Sequence, residues 1–275
     1  AGGVNNTEVV WVTGGGSVPM TNNMVDPWIV SRNVDQFLKY DSTNGLQLIT
    51  QGTAPTNYLN LAAGTTTLNG AVVPLNDGTE ILDLGAASAT QTLGADLNIH
   101  ALRVARDINV ATNGTANDIT IQSGGLIFLG NNPTINANLN FNPSGSGEAL
   151  IYTRQSTGQI NGRIQASQVT KFGPGFLNIR NDQPDFGGYW ILNEGGIQFL
   201  TPGSVGSGAN EIVLNGSVMS DDDDRQDGGA SILFTEVRYN YNSGSPDLFT
   251  WNHGKITSWD NNLIRALMVN DRNQL

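Results

Sequence analysis

The 275-residue chain contains no cysteine and only two histidines, His100 and His253. The absence of cysteine excludes disulfide bonds, cysteine-ligated metal sites and thiol catalysis. Two isolated histidines also argue against a histidine-rich metal site. We therefore expect the fold to be stabilised by packing and hydrogen bonding.

Charge is also scarce. Charged residues make up 13% of the chain, against roughly 25% in ordinary globular proteins, and the formal net charge is −11. An acidic surface repels phosphate backbones, so we expect no nucleic-acid partner. No apolar run is long enough for a transmembrane helix, so we expect no membrane insertion in this segment, and the first residues lack the basic and apolar regions of a signal peptide.

Glycine and asparagine are abundant instead, with 34 and 33 residues respectively. Both residue types tolerate left-handed backbone, so this composition favours many tight turns. Hydrophobic residues still make up 38% of the chain and alternate with polar ones, which argues against disorder. The polarity comes from Asn, Thr, Ser and Gln, which can line strand faces and stack between neighbouring coils.

The stretch from Val169 to Gly216 contains four short runs in which apolar residues alternate with others, separated by turns rich in Gly, Asn and Pro. Period 2 places alternate residues on one face of a strand. We predict that Asn178, Ile191, Gln198 and Val213 face outward. The predicted inward residues are Leu177, Ile179, Trp190, Leu192, Ile197, Phe199, Ile212 and Leu214.

Similar runs recur from Thr50 to Val169 without an exact period. Three to four short strands per coil are typical of a parallel β-helix, and roughly 22 residues per coil gives about twelve coils. The alternative is an antiparallel sandwich or jelly roll, which also has short, regularly spaced strands. Residues 1–50 also read as strands, beginning with Val9–Val12, with a turn at Asp41–Gly45 and a strand preferred to a short helix at Val34–Tyr40. Near the end of the chain, the stretch LIRALMV is predicted as a strand in preference to a helical turn.

The stretch 169–216 resembles the autotransporter-associated β-strand repeat of very long bacterial surface proteins. The residues that carry the resemblance are Lys171, Gly173, Gly175, Phe186 (where the family usually has Tyr), Asn193, Gly195, Ser204, Gly206, Gly208, Asn215 and Gly216. A weaker likeness to the region often found upstream covers Pro27 to Gly130. The resemblance implies a right-handed all-β parallel β-helix on the outside of a cell, and it implies no active site.

Residues 217–230 interrupt the pattern with the only dense run of charge, and we expect them to bulge as an acidic loop from a single solenoid segment spanning 1–275. Clustered carboxylates can supply oxygen ligands for calcium, although the spacing of an EF-hand is absent. The loop is therefore expected to be solvated, with calcium as a weak candidate and the only cofactor considered. The candidate ligands are Asp221, Asp222, Asp223, Asp224 and Asp227.

No catalytic residues are predicted. Arg154 and Arg163 are interpreted as outward strand residues, and His100 as a surface residue of a strand. Tryptophan side chains can form a platform for a sugar; Trp190 has the parity of a core residue and is expected to be buried, while the pattern does not place Trp28, Trp251 and Trp259. No serine nucleophile motif and no phosphate-binding loop occurs in a usable context.

These features predict a non-enzymatic, extracellular, structural or adhesive β-solenoid segment of a long bacterial surface protein or filament. The alternative is a β-helix that binds or cleaves carbohydrate, such as a phage tailspike or a polysaccharide lyase. Expected partners are further coils of the same chain or neighbouring copies, with surface glycans as further candidates. Because neither end reads as a cap, both ends are expected to continue into more coils.

Overall fold

The computed structural model describes residues 18–49, 58–60, 66–69, 73, 76–84, 90–110, 118–130, 132–141, 147–154, 157–207, 210–215, 230–234, 256–259 and 263–264. Side chains are described for these residues except 60, 202, 214–215 and those from 230 onward.

From Tyr58 onward, all the described strands pair in parallel, which confirms the predicted all-β parallel β-helix and excludes the sandwich for this part of the chain. Successive coils stack strand on strand into two nine-stranded sheets and one four-stranded sheet. About six turns can be followed in the described residues. The predicted number of about twelve coils was counted over the whole chain and stays a prediction.

The first long sheet consists of Tyr58–Asn60, Ile81–Leu84, Ala101–Val104, Gly125–Phe128, Glu148–Thr153, Gln168–Phe172, Tyr189–Leu192, Glu211–Asn215 and Ile256–Trp259. The second long sheet consists of Thr67–Leu68, Gln91–Leu93, Ile108–Val110, Thr134–Ile135, Thr157–Ile160, Phe176–Ile179, Gly195–Phe199, Ala230–Phe234 and Leu263–Ile264. The short sheet consists of Leu97–Ile99, Asp118–Ile121, Asn138–Asn140 and Ile164–Gln165.

The strand registers define the length of a coil. Ile81 pairs with Ala101, Leu126 pairs with Ile151, and Lys171 pairs with Leu192. Along the first long sheet as far as Glu211–Asn215, one turn of the solenoid therefore takes between 20 and 25 residues, in agreement with the expected value of roughly 22. In the second long sheet as far as Gly195–Phe199, the spacing ranges from 17 residues between Gln91 and Ile108 to 27 between Ile108 and Ile135, and the last paired strands of both long sheets lie 32 to 44 residues apart. The number of residues per coil varies because the corners between strands differ in length, and this explains why the sequence shows no exact period.

The solenoid interior is a continuous apolar stack. Of the predicted inward residues, Leu177, Ile179, Trp190, Leu192, Ile197, Phe199 and Ile212 are all buried, and the side chain of Leu214 lies outside those described. The predicted outward residues are only half-buried. Trp190 packs between Phe186 and Phe199, with ring centroids 4.8 and 5.0 Å away, and its indole N–H donates to the Val205 carbonyl at 2.7 Å. The alternation of the sequence thus predicted this core correctly.

The short sheet forms the third side of the solenoid, and its last strand is Ile164–Gln165. In the next coil the buried side chain of Gln183 takes the place of a strand there: its carbonyl oxygen accepts from the Ile164 amide at 2.7 Å, and its nitrogen donates to the Gly162 carbonyl at 3.1 Å. One coil further on, the 3₁₀ helix Pro202–Val205 occupies this side. A side-chain amide can replace a backbone amide because it offers the same donor and acceptor.

Residues 18–49 are not part of the coils, which differs from the expectation of one uninterrupted solenoid. The strands Val30–Ser31, Gln36–Asp41 and Gly45–Leu48 form a three-stranded antiparallel sheet. The turns between them are too short for a solenoid coil, so consecutive strands fold back on each other. The predicted turn is confirmed, since the Asp41 carboxylate accepts from the amides of Thr43 and Asn44, and Gly45 has a φ of 73°.

This N-terminal unit (residues 18–49) covers the outer face of the first long sheet. Met24, Phe37 and Ile49 from the unit pack with outward residues of the sheet, and the Tyr58 hydroxyl accepts a hydrogen bond from the Phe37 amide at 2.8 Å. The sheet residues of this second core are Tyr58, Ile81, Ala101, Ile127, Leu129 and Tyr152. The sheet is therefore apolar on both faces here, as expected of a sheet that is covered on both sides.

Several predictions fall on residues outside those described. They concern the acidic loop up to Gly229 with its five aspartates, the strand expected at Val9–Val12, and most of the terminal stretch LIRALMV. Within that last stretch, Leu263–Ile264 is a strand, as preferred over a helical turn.

Candidate functional site

Ladders of polar side chains follow the outside of the coils. Asn136 donates to the side chain of Asn109, and Asn161 donates to Asn136, in both cases at 2.6 Å. Asn181 continues the row by donating to the Asn161 carbonyl at 2.8 Å. Since each amide both donates and accepts, identical side chains can satisfy one another from coil to coil. The abundant asparagines therefore stack between coils, as the composition predicted.

Lys171 occupies a corner of the solenoid and is fully buried. Its ammonium group donates to the backbone carbonyls of Phe172, Gly173 and Glu194, so one side chain joins two successive coils. Burial holds the pKa of Lys171 well below its usual value, and the nearby Glu194 charge only partly opposes this effect. The group is committed to internal contacts and is not available as a base in a groove.

Two glycines of the repeat-like stretch make room for this corner. Gly173 and Gly195 have φ values of 82° and 72°, in the left-handed region that favours glycine. A Cβ atom at Gly195 would lie 2.5 Å from the Gly173 carbonyl oxygen and 2.7 Å from the Lys171 nitrogen. The residues that carry the family resemblance thus have a structural role in closing the corner.

Buried charges attach the N-terminal unit to the solenoid. Asp35, fully buried and with a φ of 50°, accepts from the Tyr152 hydroxyl at 3.0 Å and pairs with Arg154 at 3.0 Å. Arg103 bridges the same two parts, because it pairs with Asp83 of the sheet at 2.9 Å and donates to the Asp35 carbonyl at 2.8 Å. Burial raises the pKa of Asp35, although Tyr152 and Arg154 act in the opposite direction.

His100 is a second attachment point, and its prediction as a surface residue is wrong. Only 3% of its surface is exposed, and its Nδ1 lies 3.0 Å from the Asn22 side-chain nitrogen. Burial lowers the pKa of His100 to about 4, against a smaller opposing effect from the Thr21 backbone. The ring is covered by the N-terminal unit, whose position the alternation pattern does not encode.

A groove runs between the N-terminal unit and the corners of four successive coils. It consists of two cavities, of about 480 and 290 Å³, which share Asp26, Pro27, Gln122 and Ser123. Trp28 lines the smaller cavity and is 59% exposed. We call this the junction groove. It is a concave surface that carries an exposed aromatic side chain, and of its lining residues the sequence indicated only Trp28.

The predicted site residues do not come together in the described part of the chain. Asp221, Asp222, Asp223, Asp224 and Asp227 lie outside it, as does His253. Arg163 points outward as expected and pairs with Asp185 at 2.9 Å, while the outward Arg154 is occupied by Asp35. No group of three or more potential metal-ligating side chains occurs among the described residues.

Comparison of the chain with known protein families, curated proteins and solved structures finds no match in any of the three. In the described residues, no helix has the length and apolar character needed to cross a membrane. The class of the molecule therefore follows from its fold, which is that of a parallel β-solenoid.

Proposed function

We propose that the chain is a non-enzymatic structural and adhesive segment of a long, extracellular bacterial surface protein or filament. The observation that carries the proposal is the continuity of bonding from coil to coil. Parallel backbone pairing runs through two nine-stranded sheets, and the asparagine ladder runs beside it. A stalk or display surface requires such a repeating, extendable scaffold.

The use of the charged side chains supports the same proposal. Lys171, Asp35 and Arg103, which would be candidates for catalysis in a groove, are bound to backbone or to ionic partners that join coils or hold the N-terminal unit. Groups that are fully engaged in structural contacts cannot transfer protons to a substrate without breaking those contacts. The proposed partners are further coils of the same polypeptide or neighbouring copies.

Cell-surface labelling tests the location. Antibodies raised against residues 1–275 are expected to label intact cells of the source organism as strongly as permeabilised ones. Labelling that appears only after permeabilisation would contradict the extracellular assignment.

Incubation with polysaccharides tests the non-enzymatic assignment. The purified chain is expected to release no reducing ends and no unsaturated products from neutral or acidic polysaccharides, with a commercial lyase and a glycosidase as positive controls. Release of either product by the chain, and its loss after heat denaturation, would favour the carbohydrate-cleaving alternative.

A further inference from the structure

The shape of the junction groove fits a linear ligand. One wall is the N-terminal unit around Asp26 and Trp28. The other wall is built by the corners at Asp77–Gly78, His100, Gln122–Ser123 and Gly147–Glu148. These corners belong to successive coils, so the groove extends along the solenoid axis. The two contiguous cavities therefore favour a chain-like ligand over a single compact molecule.

The groove offers one apolar surface beside fixed hydrogen-bonding groups. Trp28 follows the buried Pro27, in a turn where the Ile29 amide donates to the Asp26 carbonyl at 2.9 Å, so the exposed ring is held on an ordered backbone. The Glu148 carboxylate is fixed because its Oε1 accepts from Gln168 at 2.7 Å and from Thr170. Gln122 is fixed by donating to Asn98 at 2.7 Å. A pyranose ring matches this arrangement, because it has an apolar C–H face and a rim of hydroxyl donors.

The charge of the groove restricts the ligand further. Of the described residues, Asp26, Asp77 and Glu148 line it, and none of the described lysines and arginines does. Carboxylates accept hydrogen bonds from hydroxyl groups but repel uronates, sulfates and phosphates. The lining therefore selects an uncharged chain of sugars. A basic peptide would satisfy the charges and place a cation over the Trp28 ring, so it is the competing ligand in the test below.

We propose that the junction groove binds an uncharged oligosaccharide, with Trp28 stacking on a sugar ring and Asp26, Gln122 and Glu148 accepting hydrogen bonds from hydroxyl groups. The inference rests on the proposed adhesive function and names its ligand class. The N-terminal unit thereby supplies half of a binding site as well as a cover for the sheet.

Affinity electrophoresis tests the proposal. The native chain is run in gels that contain dextran, amylopectin, galactomannan, xyloglucan or, for comparison, polygalacturonate. Retardation is expected with at least one of the four neutral polysaccharides and not with polygalacturonate. No retardation by any neutral polysaccharide, or retardation by polygalacturonate alone, would overturn the proposal.

Variants locate the binding. Calorimetry with a hexasaccharide of the retarding polymer is expected to show affinity weakened about tenfold or more in Trp28→Ala, the size of effect typical of a central aromatic anchor. Tyr189→Ala is the matched control, because Tyr189 is also an exposed aromatic residue but does not line the groove. Equal affinities of the two variants would place binding elsewhere and refute the assignment.

Two further measurements separate the possible failures. The first is the binding of hexalysine at low and high salt. If the chain binds hexalysine only at low salt and binds no sugar, the ligand of the groove is a basic peptide and the proposal is overturned. Thermal unfolding of Trp28→Ala is expected to match that of Tyr189→Ala, so that lost affinity cannot be ascribed to lost folding. Failure of glycan binding would leave the surface-labelling result, and hence the proposed structural role, untouched.

Discussion

Lys171 shows how a charged residue can be placed on the inward side of a strand. Its neighbours in the register, Ile151 and Leu192, are both buried in the core. The lysine is tolerated because its nitrogen reaches three backbone carbonyls at a corner where the chain leaves the sheet. A corner has more unpaired carbonyls than a strand, so a flexible donor can satisfy groups that the backbone ladder does not.

Replacing Lys171 by methionine tests this role. Methionine retains most of the volume but leaves the three carbonyls without their donor, so we expect the free energy of unfolding to fall by about 1–3 kcal/mol or more. The control is Lys39→Met, on the half-buried strand of the N-terminal unit, with an expected change within about 0.5 kcal/mol. Urea denaturation measures both, and equal effects would contradict the corner role.

Phe37 has the corresponding role in the second core, where it is fully buried against the first long sheet. Phe37→Ala removes this contact and leaves a cavity, so we expect a loss of about 3–5 kcal/mol. Leu48→Ala is the control, because Leu48 belongs to the same antiparallel sheet but is 42% exposed, and its expected loss is below about 1 kcal/mol. The comparison uses chemical denaturation, and a loss for Phe37→Ala no larger than that of Leu48→Ala would show that the unit is not packed on the sheet.

At the scale of elements, the strands of the coils were predictable and the docking of the N-terminal unit was not. Alternation places Leu177, Ile179 and Leu192 inside because the inward side of a strand is fixed by period 2. The contact between Asp35 and Tyr152 joins residues 117 positions apart, and no local pattern encodes such a pair. Outward apolar residues such as Ile81 and Ile127 are the signal that another element covers the sheet.

For the candidate site, the sequence contributed Trp28 and little else. Asp26, Gln122 and Glu148 lie on three separate elements, and their common groove exists only because the N-terminal unit packs beside the coil corners. The acidic loop, which the sequence singled out by its density of aspartates, lies outside the described residues. Its weak calcium affinity therefore stays a prediction.

The docking of the N-terminal unit is expected to depend on pH through His100. Its pKa is lowered to about 4 by burial, from 6.5 in the unfolded chain, so the unfolded state binds more protons between these two values. Stability is therefore fully present above pH 6.5 and is lost as the pH falls through this window. The size of the loss is on the order of 3 kcal/mol by the linkage relation.

Urea denaturation at pH 7.5 and pH 4.5 measures this effect. The wild type is expected to lose more stability between the two pH values than His100→Gln, which cannot titrate at this position. The difference between the two proteins isolates His100, because Asp35 and the other titrating groups are present in both. Equal losses of stability in the wild type and in His100→Gln would mean that His100 binds a proton as readily in the folded state as in the unfolded state.

At the scale of the whole molecule, the coils described from Tyr58 onward form a stack in which each coil bonds to the one before and the one after. Pulling along the axis acts directly on the hydrogen bonds between coils, so the end coil should separate before the interior ones. We expect force spectroscopy on the tethered chain to show repeated unfolding steps. Each step should lengthen it by roughly 75 Å, since a coil of about 22 residues extends at 3.3–3.6 Å per residue.

A single cooperative rupture of the whole chain would contradict this prediction. The control is the Phe37→Ala variant, in which the steps of the coils that follow Phe172 should keep their spacing, since the second core around Phe37 reaches from Tyr58 to Phe172 and not beyond. Altered spacing throughout would mean that the coils do not unfold independently.

The variable length of the corners has a consequence for how such a chain can change over generations. A residue gained or lost in a corner is absorbed there, as the range from 20 to 25 residues per coil along the first long sheet up to Asn215 demonstrates. A residue deleted inside a strand such as Phe176–Ile179 would turn every following side chain of that strand to the opposite face. Duplication of an entire coil, by contrast, adds one rung and leaves its neighbours paired as before, so genes of this kind can lengthen or shorten in whole coils while the corners drift freely.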